Sequence, residues 1–115
     1  MAKMNVPLEF LTDYAEHIAT DYVKWWGDRV KDKHVQEMIL ERGIQYQVGS
    51  SYIKIVETRN GVVERVHSFI VNKAGKFPLG TILKAASFKA PATNFGRGSL
   101  LDRKTWNRVT WTGVN

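Results

Sequence analysis

Tyr52-Ile53-Lys54-Ile55-Val56-Glu57-Thr58 and Val62-Val63-Glu64-Arg65-Val66-His67-Ser68-Phe69-Ile70-Val71 are two β-branched runs that flank Arg59-Asn60-Gly61. Asn-Gly supplies the two positive-φ positions of a type I′ turn, whose twist matches that of its strands, so the stretch predicts a β-hairpin. With a two-residue loop, Arg59 faces Val62, Ile55 faces Val66 and Tyr52 faces Phe69. One face then collects Ile53, Ile55, Val62, Val66 and Ile70 as the core side. The other collects Tyr52, Lys54, Val56, Arg65, His67 and Phe69, a mixture of rings and cations. This register sets Glu57 against Glu64, a destabilising like-charge pair. A three-residue loop with a bulge avoids that contact and exchanges the faces of the second strand, so the sequence leaves both registers open.

Upstream of the hairpin the apolar period is helical. Pro7 suits the first turn of a helix, with Glu9 and Asp13 near the positive end of its dipole. Leu11, Tyr14, Ile18, Tyr22 and Trp25 recur at three- and four-residue spacing, with Ala15 and Trp26 widening the stripe, and Gly27 is the break. A charged connection leads to a shorter helix carrying Val35, Met38, Ile39 and Arg42, with Gly43 as its left-handed C′ residue. Ile44, Tyr46 and Val48 then alternate, as in a short strand or an extended lead-in.

Downstream, Asn72 to Lys76 is a turn and Thr81 to Phe88 a third strand, followed by a loop rich in small residues, cations and rings, to which Leu100 and Leu101 are a tether. The tail from Asp102 to Gly113 alternates in its last part and fits either a final strand or a free terminus. The predicted fold class is therefore α+β, with two N-terminal helices on one face of a small antiparallel sheet.

At 115 residues with 43% hydrophobic content, the chain fits one folded domain, residues 1–115, able to build a core without metal or disulfide support. It has no cysteine, which removes a disulfide framework, thiolate zinc and a Cys nucleophile. No apolar run is long enough to span a membrane, and the N-terminus lacks the apolar region of a signal peptide, so a soluble cytoplasmic protein is expected. The net charge of +6 is unevenly placed: residues 1–42 carry six bases and eight acids, residues 43–115 eleven bases and three acids. A basic half attracts phosphates or acidic protein surfaces over about 8–10 Å at physiological salt, although solubility alone also accounts for such a balance.

Three blocks of the chain resemble a group of small uncharacterised proteins of tailed bacteriophages. They are the Tyr-Ile-Lys-Ile strand from Tyr52, the Val-His-x-Phe strand from Val66, and Leu83-Lys84-Ala85-Ala86-Ser87-Phe88-Lys89-Ala90-Pro91-Ala92, leading to Arg97-Gly98. The likeness covers roughly residues 49 to 102; Phe88 stands where that pattern expects Trp, and Lys76-Phe77-Pro78-Leu79 is an insertion before Gly80. It implies a viral origin and expression in the host cytoplasm, and it implies no activity.

No catalytic motif emerges, so no enzyme and no cofactor are expected. Asp13 and His17, one turn apart, read as a solvated surface pair, His34 as solvated, and His67 as a strand histidine beside Lys54 and Arg65. No paired histidines or acidic cluster offers a metal site. Gly75 to Thr81 has the outer glycines of a phosphate loop but lacks its lysine, and Pro78 removes a cradling N–H.

The positive signal is the interleaving of cations with rings. Lys54, Arg65, His67, Phe69, Lys84, Phe88, Lys89, Arg97, Arg103 and Lys104 form the candidate nucleic-acid site, since cations contact phosphates while rings stack on bases. DNA and RNA are equally open as ligands, and the pattern matches no full recognition motif. The alternative is a protein interface on a host or viral partner anchored by Trp25, Trp26, Trp106 and Trp111. A third reading is self-assembly through an exposed sheet edge.

Overall fold

A computed structural model describes residues 2–115. Helix α1 runs Leu8–Trp26 behind an extended Pro7, and Gly27 ends it with φ of 57°. Leu11, Tyr14, Ile18 and Tyr22 form its buried stripe. Trp25, expected to continue the stripe, stays 52% exposed. A 3-10 turn, Gly27–Lys31, leads to α2, Lys33–Glu41, whose cap Asp32 accepts the His34 N–H at 2.8 Å. That cap fixes where α2 starts by satisfying one of its free N–H groups.

Strands β1 (Arg42–Val48), β2 (Tyr52–Arg59), β3 (Val62–Val71) and β4 (Ile82–Lys84) form one antiparallel sheet in chain order. Strands β5 (Val109–Thr110) and β6 (Gly113–Val114) pair only with each other. The fold is α+β, as its periodicity predicts.

The hairpin turn has the expected two residues, with φ of 52° at Asn60 and 82° at Gly61, and Arg59 pairs with Val62. Above it the register departs from both sequence expectations. Glu64 is skipped, so that Arg65 faces Glu57, and His67 is skipped, so that Ser68 faces Ile55. The first bulge exchanges the Glu57–Glu64 repulsion for an ion pair. The second restores the pleat, so Tyr52 faces Val71 instead of Phe69. Ile53, Ile55 and Ile70 therefore join the helix-side core as predicted. Val62 is exposed, and Val66 packs with Phe69, Val71 and Leu83 on the opposite face.

The helix-side core joins Leu11, Tyr14 and Ile18 of α1 to the three sheet isoleucines, Ile82 and Leu100, and it is closed by Trp106, Val109 and Val114. The tail is thus neither a strand of the main sheet nor a free terminus: it caps the core, because Trp106 and two valines have apolar surface that only this position removes from water. Its N-terminal counterpart is tied down by Asn72. That fully buried side chain accepts from the Asn5 N–H and donates to the carbonyls of Lys3 and Gly49, each at 2.8 Å.

Three boundaries differ from the sequence reading. Arg42 opens β1 instead of closing α2. Gly43 is a strand residue, and a Cβ there would stand 2.6 Å from the Thr58 hydroxyl. Its role is close approach within the sheet, not a helix cap. Gly43→Ala is expected to cost about 1–3 kcal/mol through overpacking, and less in a Thr58→Ala background; equal losses of thermal stability in the two backgrounds would contradict the contact. The third strand is also shorter than Thr81 to Phe88. After Lys84, Ala85 bridges Pro91, and the Ser87 hydroxyl accepts from the N–H groups of Lys89 and Ala90, bending residues 87–89 into a tight turn.

The two sheet edges are unlike. The outer edge of β4 is covered, because the Ile82 N–H donates to Gly98 O and the Arg97 N–H to Ile82 O. Among the described residues the outer edge of β1 has no backbone partner from Ile44 to Val48, the Arg42 N–H being held by Ile39 O, and Gln45, Tyr46 and Gln47 are exposed in succession.

Candidate nucleic-acid interface on the outer sheet face

Alternation along β2 sends Ile53, Ile55 and Glu57 toward the helices and Tyr52 and Lys54 to the opposite, outer face. From β3 the outer face receives Phe69 and Val71, and from β4 Leu83, which pairs with Phe69. These apolar side chains form a second, smaller core that half-buried Tyr52 and Phe77 flank. The turn of residues 87–89 folds back over it. Lys54 Nζ lies 4.5 Å from the Phe88 ring centroid and 5.9 Å from that of Phe69, and Tyr52 meets Phe69 edge-on at 6.1 Å.

Two shallow recesses open on this face and share Ser51 and Tyr52. One, of about 340 Å³, is lined by Lys54, Lys89, Gln47 and Phe69 among others. The other, of about 360 Å³, is lined by Lys73, Lys76, Phe77, Val71 and Thr93. Tyr52 is therefore a ridge between two lysine-bearing depressions. The field around them is positive for a reason visible in the chain: residues 65–101 contain six Lys and Arg and no acid. The acids lie elsewhere. Eight precede residue 43, Glu57 points toward the helices, Glu64 pairs with Arg59, and Asp102 caps the 3-10 turn Arg103–Arg108.

The candidate residues divide between the two faces. Lys54, Phe88 and Lys89 converge on the outer recess. Phe69 lies beneath it but is buried, so it supports the recess and has no ring face free for stacking. Lys84, at the end of β4, is exposed and alternates with Leu83, so it lies in register with Ser68 on the helix-side face of the strand, and Arg97 stacks on Phe95 at 3.9 Å. The remaining four are also on the helix side. Arg65 shares Glu57 with Arg42 and also donates to Trp111 O at 3.1 Å. Arg103 pairs with Asp13 and covers the Phe10 ring, and Lys104 sits in the same 3-10 turn.

His67 is no surface ligand. Its Nε2–H donates to Thr110 O at 2.6 Å, so its Nδ1 accepts the Ser68 hydroxyl at 2.8 Å, and Ser68 in turn accepts from the Tyr14 hydroxyl at 2.8 Å. This chain joins α1, β3 and the tail inside the core. Burial drives the His67 pKa down to about 4 and pushes the Tyr14 hydroxyl up, so both are neutral at physiological pH. A serine–histidine contact in the chemical sense is present, but Ser68 is fully buried, and no substrate reaches it. His17 likewise donates to Val109 O at 3.0 Å, while Asp13 turns to Arg103; the two are not the surface pair their spacing suggests.

Among the tryptophans, Trp106 is buried, donating to Ser99 O at 2.9 Å. Trp25, Trp26 and Trp111 gather with Tyr22 at the end of α1, where Arg29 covers Trp25 and Trp26 and Arg42 covers Trp111. Within that group Trp25 is the exposed ring. Among the described residues no cluster of His, Cys, Asp and Glu is arranged to hold a metal ion, and no helix is long and apolar enough to cross a membrane.

Sequence reasoning missed Lys73 and Lys76, which read as a turn, and Phe77, which read as the lead-in to the third strand; it set Tyr52 on the face of rings and cations without counting it among the candidate site residues. The signal that finds the lysines is the acid-free run; the shared position of Tyr52 depends on the second bulge.

With this geometry in view, residues 3–115 match a family of unknown function, DUF7717. The chain belongs to DUF7717. No curated protein and no solved structure shows a significant match. The DUF7717 match spans both faces of the sheet, the helices and the capping tail.

Proposed function

We propose that this DUF7717 chain is a small non-enzymatic accessory protein that binds single-stranded nucleic acid across the outer sheet face. The observation that carries the reading is the pair of recesses meeting at Tyr52, with Lys54 and Lys89 on one side and Lys73 and Lys76 on the other. Lysines on both sides of one ring offer contacts to phosphates, while Tyr52 and the 52% exposed Phe88 offer surfaces to bases. Base stacking contributes about 1–3 kcal/mol per ring and tolerates any sequence. The resemblance of three blocks to small phage proteins supports a role in the host cytoplasm during infection as part of this proposal.

The test is fluorescence anisotropy of labelled single- and double-stranded oligonucleotides over a salt series. Neutralising four phosphates gives a log–log salt slope of about −3 for a single strand. Lys54→Glu with Lys89→Glu is expected to abolish binding, and Tyr52→Ala to weaken it about 5- to 150-fold, the equivalent of one stacking contact. Arg103→Glu and Lys104→Glu, on the helix side, leave binding within about threefold, since they line neither of the two outer recesses. Binding lost equally in both sets points to a diffuse basic surface and overturns the site.

One observation favours a second reading. Trp25 is half exposed under Arg29 at the edge of a ring cluster, the composition of a protein-docking anchor. If no oligonucleotide binds at low salt, this cluster becomes the leading candidate for the functional surface.

A further inference from the structure

We infer that the chain forms a two-fold dimer by pairing the β1 edge of one copy with the β1 edge of a second, antiparallel and centred on Gln45. The inference starts from hydrogen-bond parity. The Asn60 N–H donates to Glu41 O and the Gly49 N–H to Tyr52 O, both in register with the β1–β2 ladder. Antiparallel ladders alternate, so Gly43, Gln45 and Gln47 direct their backbone groups at β2. Arg42, Ile44, Tyr46 and Val48 therefore direct theirs outward; the Arg42 N–H is held by Ile39 O, and among the described residues no other segment covers Ile44, Tyr46 and Val48.

Residues 43–48 carry no charge and no proline, and none of the bulges of the hairpin reaches them. Soluble proteins ordinarily protect an open edge with lysine, proline, a bulge or a covering element. The β4 edge is covered in that way by residues 97–100. Among the described residues the β1 edge from Ile44 to Val48 has no such cover.

A second copy fits this edge better than a generic strand because the edge is complementary to itself. With Gln45 on the axis, Ile44 faces Tyr46 of the second copy and Arg42 faces its Val48. The outward N–H and C=O of Ile44 and Tyr46 then all find partners, and the Val48 N–H finds Arg42 O; the Arg42 N–H, held by Ile39 O, stays out of the ladder. On the helix side the Ile44–Tyr46 contacts continue into an apolar groove of about 370 Å³ between α1, α2 and β1, whose walls include Ala15, Ala19, Val23 and Ile39. Leu40, 85% exposed, lies at the end of α2, two residues before β1 begins. On the outer side the two Gln45 amides meet and Gly43 leaves room for Gln47. Charge also favours the choice: a chain of net charge +6 associates with itself most readily through a neutral segment. The basic residues of the outer face all lie on β2 and the segments beyond β3, away from the axis.

In an antiparallel pair, opposed side chains share a face, so the axis is normal to the sheet. The dimer has one continuous eight-stranded sheet, with both outer faces on the same side and all four helices on the other. This holds whatever the outer face binds.

Sedimentation or light-scattering mass, measured from micromolar to near-millimolar concentration, tests the pairing. The wild type is expected to approach twice the 13.1 kDa chain mass as concentration rises. Tyr46→Lys places a charge on the edge, and Tyr46→Pro removes an outward N–H while leaving the β1–β2 ladder intact; each is expected to remain folded by circular dichroism and to stay monomeric. Should the proline variant unfold, the lysine variant carries the test alone. A wild type that remains monomeric throughout overturns the inference, as does a dimer that Tyr46→Lys leaves unchanged.

Discussion

Glu57→Ala is expected to destabilise the protein by about 3–5 kcal/mol, the usual consequence of removing one partner from a buried charge pair. Glu57 is almost fully buried, and its carboxylate receives both Arg42 and Arg65. What remains to the arginines is the Trp111 carbonyl and, for Arg42, the rings of Tyr22 and Trp111, while the nearby Glu64 carboxylate is already paired with Arg59. Arg42 is itself mostly buried, so its uncompensated charge carries the larger share of the cost. The loss is readable as a fall in the urea midpoint with an unchanged slope. A companion variant sharpens the result. Glu57→Leu combined with Arg42→Met and Arg65→Met replaces the group by apolar side chains and is expected to recover most of the stability, because the ions no longer have to leave water. A single Glu57→Ala variant within about 0.5 kcal/mol of wild type, the range of an ordinary surface change, would show that the group is solvated.

The second large effect is acid sensitivity from His67. Burial holds its pKa near 4 in the folded chain, with Arg65, Arg42 and His17 acting in the same direction and the Thr110 carbonyl opposing them. In the unfolded chain it titrates near 6.5. The folded state binds the proton more weakly, so the contribution of neutral His67 is fully present above about pH 6.5 and is lost as pH falls toward 4. About 2 kcal/mol is expected to be gone by pH 5 and about 3 by pH 4. His67→Gln keeps a donor for Thr110 and removes the titration. Urea denaturation between pH 7 and pH 5 is expected to show a steep decline for wild type and a shallow one for the variant; parallel declines would assign the acid sensitivity to other groups.

Both effects arise at the bulges of β3, and there the sequence was least informative. The Asn-Gly turn was legible because only two residues determine it. The positions of the bulges were not, since Glu64 and His67 carry no local mark of being skipped. What selects them is the gain from bringing Arg65 to Glu57 and from burying His67 against Ser68 and Thr110, and Thr110 is 43 residues away. The outer recess follows the same logic. Lys54, Phe88 and Lys89 were visible as interleaved cations and rings. That Arg65, Arg103 and Lys104 belong to the other face depends on partners, Glu57 and Asp13, that no short window contains. Gly43 shows the opposite error: a glycine after a helical run reads as a cap, yet its place was set by the Thr58 hydroxyl across the strand pair.

The sequence by itself determined the hairpin turn, the α1 stripe from Leu11 to Tyr22, the α+β class and the concentration of positive charge beyond residue 42. These follow from local backbone preference, apolar period and composition, which act within a few residues or on the whole chain at once. Only the tertiary structure decided the strand register, the capping role of Trp106, Val109 and Val114, the β1 edge left without cover among the described residues from Ile44 to Val48 and the gathering of four lysines about Tyr52. Each of these depends on which distant group satisfies a buried charge, hydrogen bond or apolar surface, and that choice exists only after the chain has folded.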